Sequence, residues 1–144
     1  MLAWLFRRVP HLRLVPGLPA LFDAFLLAGT ALFYRERFAA LHQIERAVLS
    51  WPGITVKIHR FGGTEFNLGP REVGHLHGNG LLDIPFTKAL RDEIVSAGEA
   101  RPHHIFPRSA WISYSVRSKA DLPGAISLLR RNYERWQKSD SGQV

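Results

Sequence analysis

Cysteine is missing from the 144 residues, which excludes disulfides, thiolate metal sites and cysteine nucleophiles and leaves the redox compartment undetermined. Long basic runs are missing as well. No stretch of Lys and Arg exceeds two residues, and no RNP-type aromatic motif is present, which argues against a dedicated nucleic-acid face. A net charge of +7 would otherwise favour anionic partners, whether nucleic acid, membrane headgroups or an acidic ligand. There is no Walker A loop, no Rossmann glycine fingerprint and no Gly-x-Ser-x-Gly elbow, so the common nucleotide-binding and serine-hydrolase readings fall away.

An unbroken apolar run of membrane-spanning length is the remaining absence. Leu14 to Tyr34 carries a single charge, Asp23, but Pro16-Gly17 and Pro19 interrupt it. A helix starting at Pro19 covers about 24 Å by Tyr34, short of a hydrocarbon core of about 30 Å. The run lacks a small-residue cleavage site and leads straight into a charged helix, unlike a signal peptide. Residues 1–34 therefore read in one of two ways. They form an interfacial anchor on a membrane surface, with Trp4, Phe6 and the flanking arginines at the headgroups, or an apolar helix packed on the protein's own sheet or in a homo-dimer. The location expected is cytoplasmic, with membrane association if the first holds.

What is present is enough for one core. With 46% hydrophobic and 22% charged residues, residues 35–138 read as one globular domain followed by a polar tail, 139–144. Phe38, Leu41, Ile44 and Val48 make the stripe of an amphipathic helix over 35–50. Ile54, Val56 and Ile58 alternate with Thr55, Lys57 and His59 as a half-buried strand, and Gly62-Gly63 and Gly69-Pro70 turn the chain into two more strands. Thr87 caps a short helix over 88–97, Trp111 to Arg117 is a later strand, and Asp121 caps a last helix with Leu122, Ile126, Leu129, Tyr133 and Trp136 on its apolar stripe. This order predicts an α+β fold: an antiparallel sheet, a meander plus later strands, packed with three to four helices.

The chemistry concentrates in Arg71 to Phe86. On a strand His75 and His77 share one face, while Glu72, Gly74 and Leu76 take the other. A two-residue Asn79-Gly80 turn would mix polar and apolar side chains on both faces. A three-residue loop, Gly78 to Gly80, instead pairs His75 with Asp83 and Leu76 with Leu82, and a buried face selects that sorting. The candidate catalytic group is then His75, His77 and Asp83, a carboxylate-oriented imidazole acting as general base or as donor to a ligand oxygen. Two imidazoles on one face are also good metal geometry, with Asp83, His103 or Glu65 to complete a site, but no third ligand is fixed by sequence and no cofactor is expected. His103-His104 form a second cluster. Arg101, Arg117, Trp111 and Tyr114 suit a planar anionic or phenolic ligand.

From Trp51 to Arg135 the chain resembles the luciferase-like domain family, which includes fungal luciferases and uncharacterised bacterial proteins. The resemblance rests on Arg71-Glu72-Val73-Gly74-His75-Leu76-His77, Leu82-Asp83-Ile84-Pro85-Phe86, Gly98 with Arg101-Pro102-His103-His104, Trp111 with Tyr114 and Arg117, and Asn132-Tyr133-Glu134-Arg135. It implies oxidative chemistry without metal or flavin. Taken with the residue reading, the expectation is a small-molecule-binding, oxygenase-like domain with His75, His77 and Asp83 as catalytic residues and Glu65, Arg101, His103, His104, Trp111, Tyr114 and Arg117 as ligand contacts. In order of elements the chain also resembles MmcQ/YjbR-like domains, which implies the alternative of a non-catalytic module for nucleic acid or a membrane surface.

Overall fold

A computed structural model describes residues 17–140. The headgroup reading of Trp4, Phe6 and the N-terminal arginines lies outside them. Two helices come first, α1 (Leu18–Phe33) and α2 (Arg35–Leu49), separated by Tyr34 alone. The strands are β1 (Ile54–Ile58), β2 (Thr64–Leu68), β3 (Arg71–Leu76) and β4 (Leu81–Pro85), then β5 (Arg101–Pro102) and β6 (Trp111–Ser115). A helix α3 (Lys88–Ser96) separates β4 from β5, and α4 (Leu122–Asp140) ends the described chain. The fold is α+β: one six-stranded antiparallel sheet in the order β1-β2-β3-β4-β6-β5, with four helices among the described residues.

One face of the sheet carries the core. Phe66, Leu76, Leu82, Ile84 and Ile112 are buried together with Ala40, Leu41, Ile44 and Val48 of α2 and with Ala125, Leu128, Leu129 and Tyr133 of α4. Leu41, Ile44, Val48, Leu129 and Tyr133 belong to the stripes that the sequence spacing predicts, whereas Phe38 stays outside the buried cluster and Leu122, Ile126 and Trp136 are only partly buried against it; alternation along the strands sends the polar residues to the opposite face. Leu129 is fully buried and Trp136 only partly, its indole N–H donating to the Glu72 carbonyl at 3.0 Å.

Four expectations are corrected. Strand β1 is not half-buried: it forms an edge of the sheet, where Ile54 packs partly buried against the core while Val56 and Ile58 are exposed. Asp121 does not cap the last helix. It closes a 3-10 turn (Lys119–Asp121) whose N-cap is Ser118, and its carboxylate accepts the Arg117 and Ser118 N–H groups. Glu72 does not face away from His75. Phe66 pairs with Gly74 and Asn67 with Glu72, so β3 carries one residue too many, Val73. This β-bulge turns Val73 into the core and brings Glu72 onto the histidine face. Helix α4 also runs two residues into the stretch read as a polar tail.

Candidate functional site

The β3–β4 connection sets the site. His77 N–H donates to Leu81 O at 2.8 Å and Gly80 N–H to His77 O at 2.9 Å, closing a three-residue loop in which Gly80 has φ 88°. A residue with positive φ at the end of such a loop is a glycine position. The register that follows pairs His75 with Asp83 and Leu76 with Leu82, so the imidazoles and the carboxylate stand together on the face away from the core.

There Asp83 is fully buried and is the hub. Ser113, opposite it on β6, donates its hydroxyl to Oδ1 at 2.5 Å, and the His104 backbone N–H donates to that same hydroxyl at 3.2 Å. His104 Nδ1 is 3.6 Å from Oδ1. Around Oδ2 stand three imidazole Nε2 atoms, those of His75 at 3.5 Å, His103 at 3.6 Å and His77 at 3.7 Å. None makes a hydrogen bond to it, and Oδ2 is buried without a partner among the described residues.

Each ring is held from behind. His75 Nδ1 meets Glu72 Oε1 at 2.6 Å and His77 Nδ1 meets Asp23 Oδ1 at 3.3 Å. The same Asp23 oxygen accepts the Gly78 N–H at 3.0 Å. His103 is held differently: its Nδ1 accepts the backbone N–H groups of Ile105 and Phe106 at 3.2 and 3.0 Å. A fifth histidine, His59, stacks on His75 with ring centroids 3.7 Å apart and accepts the Phe61 N–H through Nδ1 at 3.3 Å. Glu65 is buried beside it, paired with Lys57 at 2.9 Å.

These partners divide the histidines electrically. Burial pushes the His59 imidazole down to about 3, with the His75 and His77 charges acting the same way. Burial likewise pushes His103 down to about 4 against the attraction of Asp83. For His77 burial is outweighed by the Asp23 and Asp83 carboxylates, which raise it to about 9. His75 is raised for the same reason by Asp83 and Glu72. Burial would raise the Asp83 carboxyl, but the His104, His75 and His77 imidazoles standing around it and the Ser113 hydroxyl hold it well below the ordinary carboxylate range. Carboxylates beside imidazoles favour the charged form of both.

All of this borders one cavity of about 790 Å³. His59, His75, His77, His103, His104, Asp83, Glu65 and Trp111 line it, as do Phe22, Asp23 and Leu26 of α1. Trp111 lies 5.5 Å from His75 and 5.9 Å from His103, ring centre to ring centre. Of the residues expected at the site, Arg101, Tyr114 and Arg117 stand elsewhere. Arg101 is exposed on the short strand β5. Tyr114 pairs with Leu82, and its hydroxyl donates to Asp121 O at 3.2 Å. Arg117 borders a separate small cavity with Arg37 and Asn79.

Sequence reasoning missed His59, Asp23, Ser113 and the role of Glu72. His59 was within reach, since alternation from Ile54 puts it on the face of Lys57, whose partner Glu65 is paired in turn with His75. Asp23 gave no signal beyond being the lone charge in an apolar stretch. It is brought in by close packing: a Cβ on Gly62 would lie 2.5 Å from Pro19 O, and one on Gly78 2.6 Å from Leu27 N. Glycines in two turns thus seat the backbone of α1, an approach that any side chain would block. The opposite side of α1 exposes Leu21, Phe25, Leu32 and Phe33. Among the described residues no helix is long and apolar enough to cross a membrane.

Among the described residues three sets of side chains bring ligand atoms within 4.8 Å of one another and could hold a metal ion: His59, Glu72 and His75; His75, His77 and Asp83; Asp83, His103 and His104. Compared with known proteins, residues 70–132 match the family described as Luciferase domain. No curated protein and no solved structure matches the chain.

Proposed function

Since residues 70–132 match the family described as Luciferase domain, we propose that the histidine-lined cavity binds a small, flat, oxygen-rich molecule with an acidic hydroxyl and prepares it for oxygenation. The observation that carries this reading is the convergence of five imidazoles and Asp83 on one cavity of about 790 Å³, a size that suits a small organic molecule. Apolar and aromatic side chains, Phe22, Leu26, Phe61, Ile105, Phe106 and Trp111, make up much of the remaining wall and supply faces on which a planar ring can stack.

The polar end of the cavity is suited to ionising a hydroxyl. Cationic character at His75 and His77 stabilises an enolate or phenolate formed against them, and the outer carboxylates Glu72 and Asp23 fix the ring orientations. His103, neutral and with Nδ1 occupied by backbone N–H groups, presents Nε2–H as a donor to the same place. An enolate or phenolate is electron-rich, which makes it a partner for dioxygen; the domain match supports that class of reaction.

The test uses 4-nitrocatechol, an acidic phenol whose visible absorption reports ionisation. Binding should shift its spectrum towards the phenolate, and His77→Gln should weaken binding at least about tenfold, the loss of one charged hydrogen bond of about 1.5–3 kcal/mol. A spectrum unmoved by the protein, or an affinity that His77→Gln and Trp111→Ala both leave unchanged, would contradict the assignment.

A further inference from the structure

We infer that His75 Nε2, His77 Nε2 and Asp83 Oδ2 form a binding site for one divalent first-row transition-metal ion, opening into the cavity. The inference deepens the reading of that cavity as the reaction site, and it departs from the metal-free chemistry implied by the family resemblance. Sequence offered two imidazoles on one face and no fixed third ligand; the hairpin register supplies it.

Four observations carry it. The first is spacing. Donors bonded to one ion at about 2.0–2.2 Å stand about 3.0–3.6 Å from one another; the two imidazole nitrogens lie 3.5 and 3.7 Å from Asp83 Oδ2, the second just beyond that range, and all three atoms lie within 4.8 Å of one another, so a small inward shift completes the site. The second is an unpartnered oxygen: Oδ2 is fully buried, borders the cavity and has no hydrogen-bond donor among the described residues, although its neighbour Oδ1 is satisfied by Ser113. Such an atom is costly unless something cationic meets it.

The third is the carboxylate behind each ring. Glu72 and Asp23 each accept Nδ1–H of one imidazole, so that once a metal ion displaces the Nε2 proton the freed lone pair is held towards the shared point. This is the outer arrangement that metal-bound histidines use. The fourth is elimination. In the other two candidate sets, His59 and His103 have Nδ1 occupied as an acceptor of backbone N–H groups. Their neutral rings then carry the proton on Nε2, and a nitrogen bearing a proton cannot ligate. Among the described residues His75, His77 and Asp83 alone remain as a complete set. Two imidazoles and a carboxylate with free positions on one side form the donor set of non-haem iron and related divalent sites.

The experiment is titration of the chelator-treated full chain, free of affinity-tag histidines, with cobalt(II), read by visible absorption and calorimetry. One ion per chain should bind. Asp83→Asn and His77→Gln should each weaken binding at least about 100-fold, and Glu72→Gln and Asp23→Asn about 10-fold to 100-fold. His59→Gln and His103→Gln should retain one ion per chain. Each variant is compared with the parent by its metal-free unfolding midpoint, and paramagnetic shifts of the His75 and His77 ring protons in the unaltered chain give a readout that needs no variant. Absence of stoichiometric cobalt binding, binding indifferent to Asp83→Asn, or paramagnetic shifts centred on His103 would each overturn the site. Phenolate binding by the metal-free chain alongside a failed cobalt titration would overturn the metal and leave the cavity reading standing.

Discussion

Gly78→Ala tests whether α1 belongs to the site. A Cβ at this position would meet Leu27 N at 2.6 Å, Leu27 Cβ at 2.7 Å and Asp23 O at 2.8 Å, against 3.4 Å for ordinary contact. Two of these atoms are backbone, so no rotamer change relieves the overlap, and α1 must retreat by about 0.8 Å (3.4 − 2.6). The same retreat would stretch Asp23 Oδ1 from 3.0 to about 3.8 Å at Gly78 N and from 3.3 to about 4.1 Å at His77 Nδ1, beyond hydrogen-bond range. Overpacking and two weakened charged hydrogen bonds, discounted for water entering from the cavity, should cost about 2–3 kcal/mol in urea unfolding. The second readout is local. Losing Asp23 as a partner should bring the His77 imidazole down from about 9 in an NMR titration of the metal-free protein, and Asp23→Asn should do so without any steric overlap. A Gly78→Ala protein within about half a kcal/mol of the parent and an unmoved His77 titration would refute the seating of α1.

Two other outcomes follow from the packing and from the buried rings. Leu129 is fully buried against the sheet, and Leu129→Ala should cost about 2–5 kcal/mol by denaturant titration; a loss under half of the lower bound would mean that α4 is loosely docked. His59 and His103 are pushed down to about 3 and about 4, below the ordinary 6.5. The unfolded chain therefore takes up protons that the folded one refuses, and their contribution, complete above pH 6.5, is lost as pH falls towards 4. His77, raised to about 9, acts oppositely: its contribution is complete below 6.5 and fades as pH rises through about 9. The unfolding midpoint of the metal-free protein should decline on both sides, and His59→Gln should flatten the slope between pH 6.5 and 4. An unchanged slope in that variant would show that His59 takes up its proton without unfolding.

What could be read from sequence was what period and turn chemistry determine. The helices read over 35–50 and 88–97, the meander of the first four strands, the three-residue loop and the His75–Asp83 pairing all follow from period, alternation and glycine at a loop end; the placing of β6 between β4 and β5 does not. Where the reading failed, a register or a long-range contact decided. The bulge at Val73 reverses the side taken by Glu72, and nothing in a short alternating run announces an extra residue. Val56 and Ile58 alternate correctly yet stay exposed, because burial depends on what covers a strand and not on the strand itself. Asp23 reaches His77 from 54 residues away, and the two glycines that admit it had a sufficient local explanation as turn residues. Arg101 and Arg117 are charged and near the histidines in sequence, but β5 and the end of β6 carry them away from the cavity.

The seating of α1 also governs how long the site stays assembled. The sheet and its covering helices form a continuous apolar core, so the strands carrying His75, Asp83 and Ser113 should open only with global unfolding. The carboxylate behind His77 sits instead on a helix that packs on α2, adds Leu27 to the margin of the core and leaves Leu21, Phe25, Leu32 and Phe33 exposed, and such a peripheral element opens at a lower free energy than the core. Amide protons of 18–33 should therefore exchange well before those of β3 and β4. During each opening His77 loses its outer partner while His75 keeps Glu72 from its own strand. The two imidazoles, alike in sequence, differ in persistence: one is anchored in the most stable part of the molecule, the other in the part that leaves first.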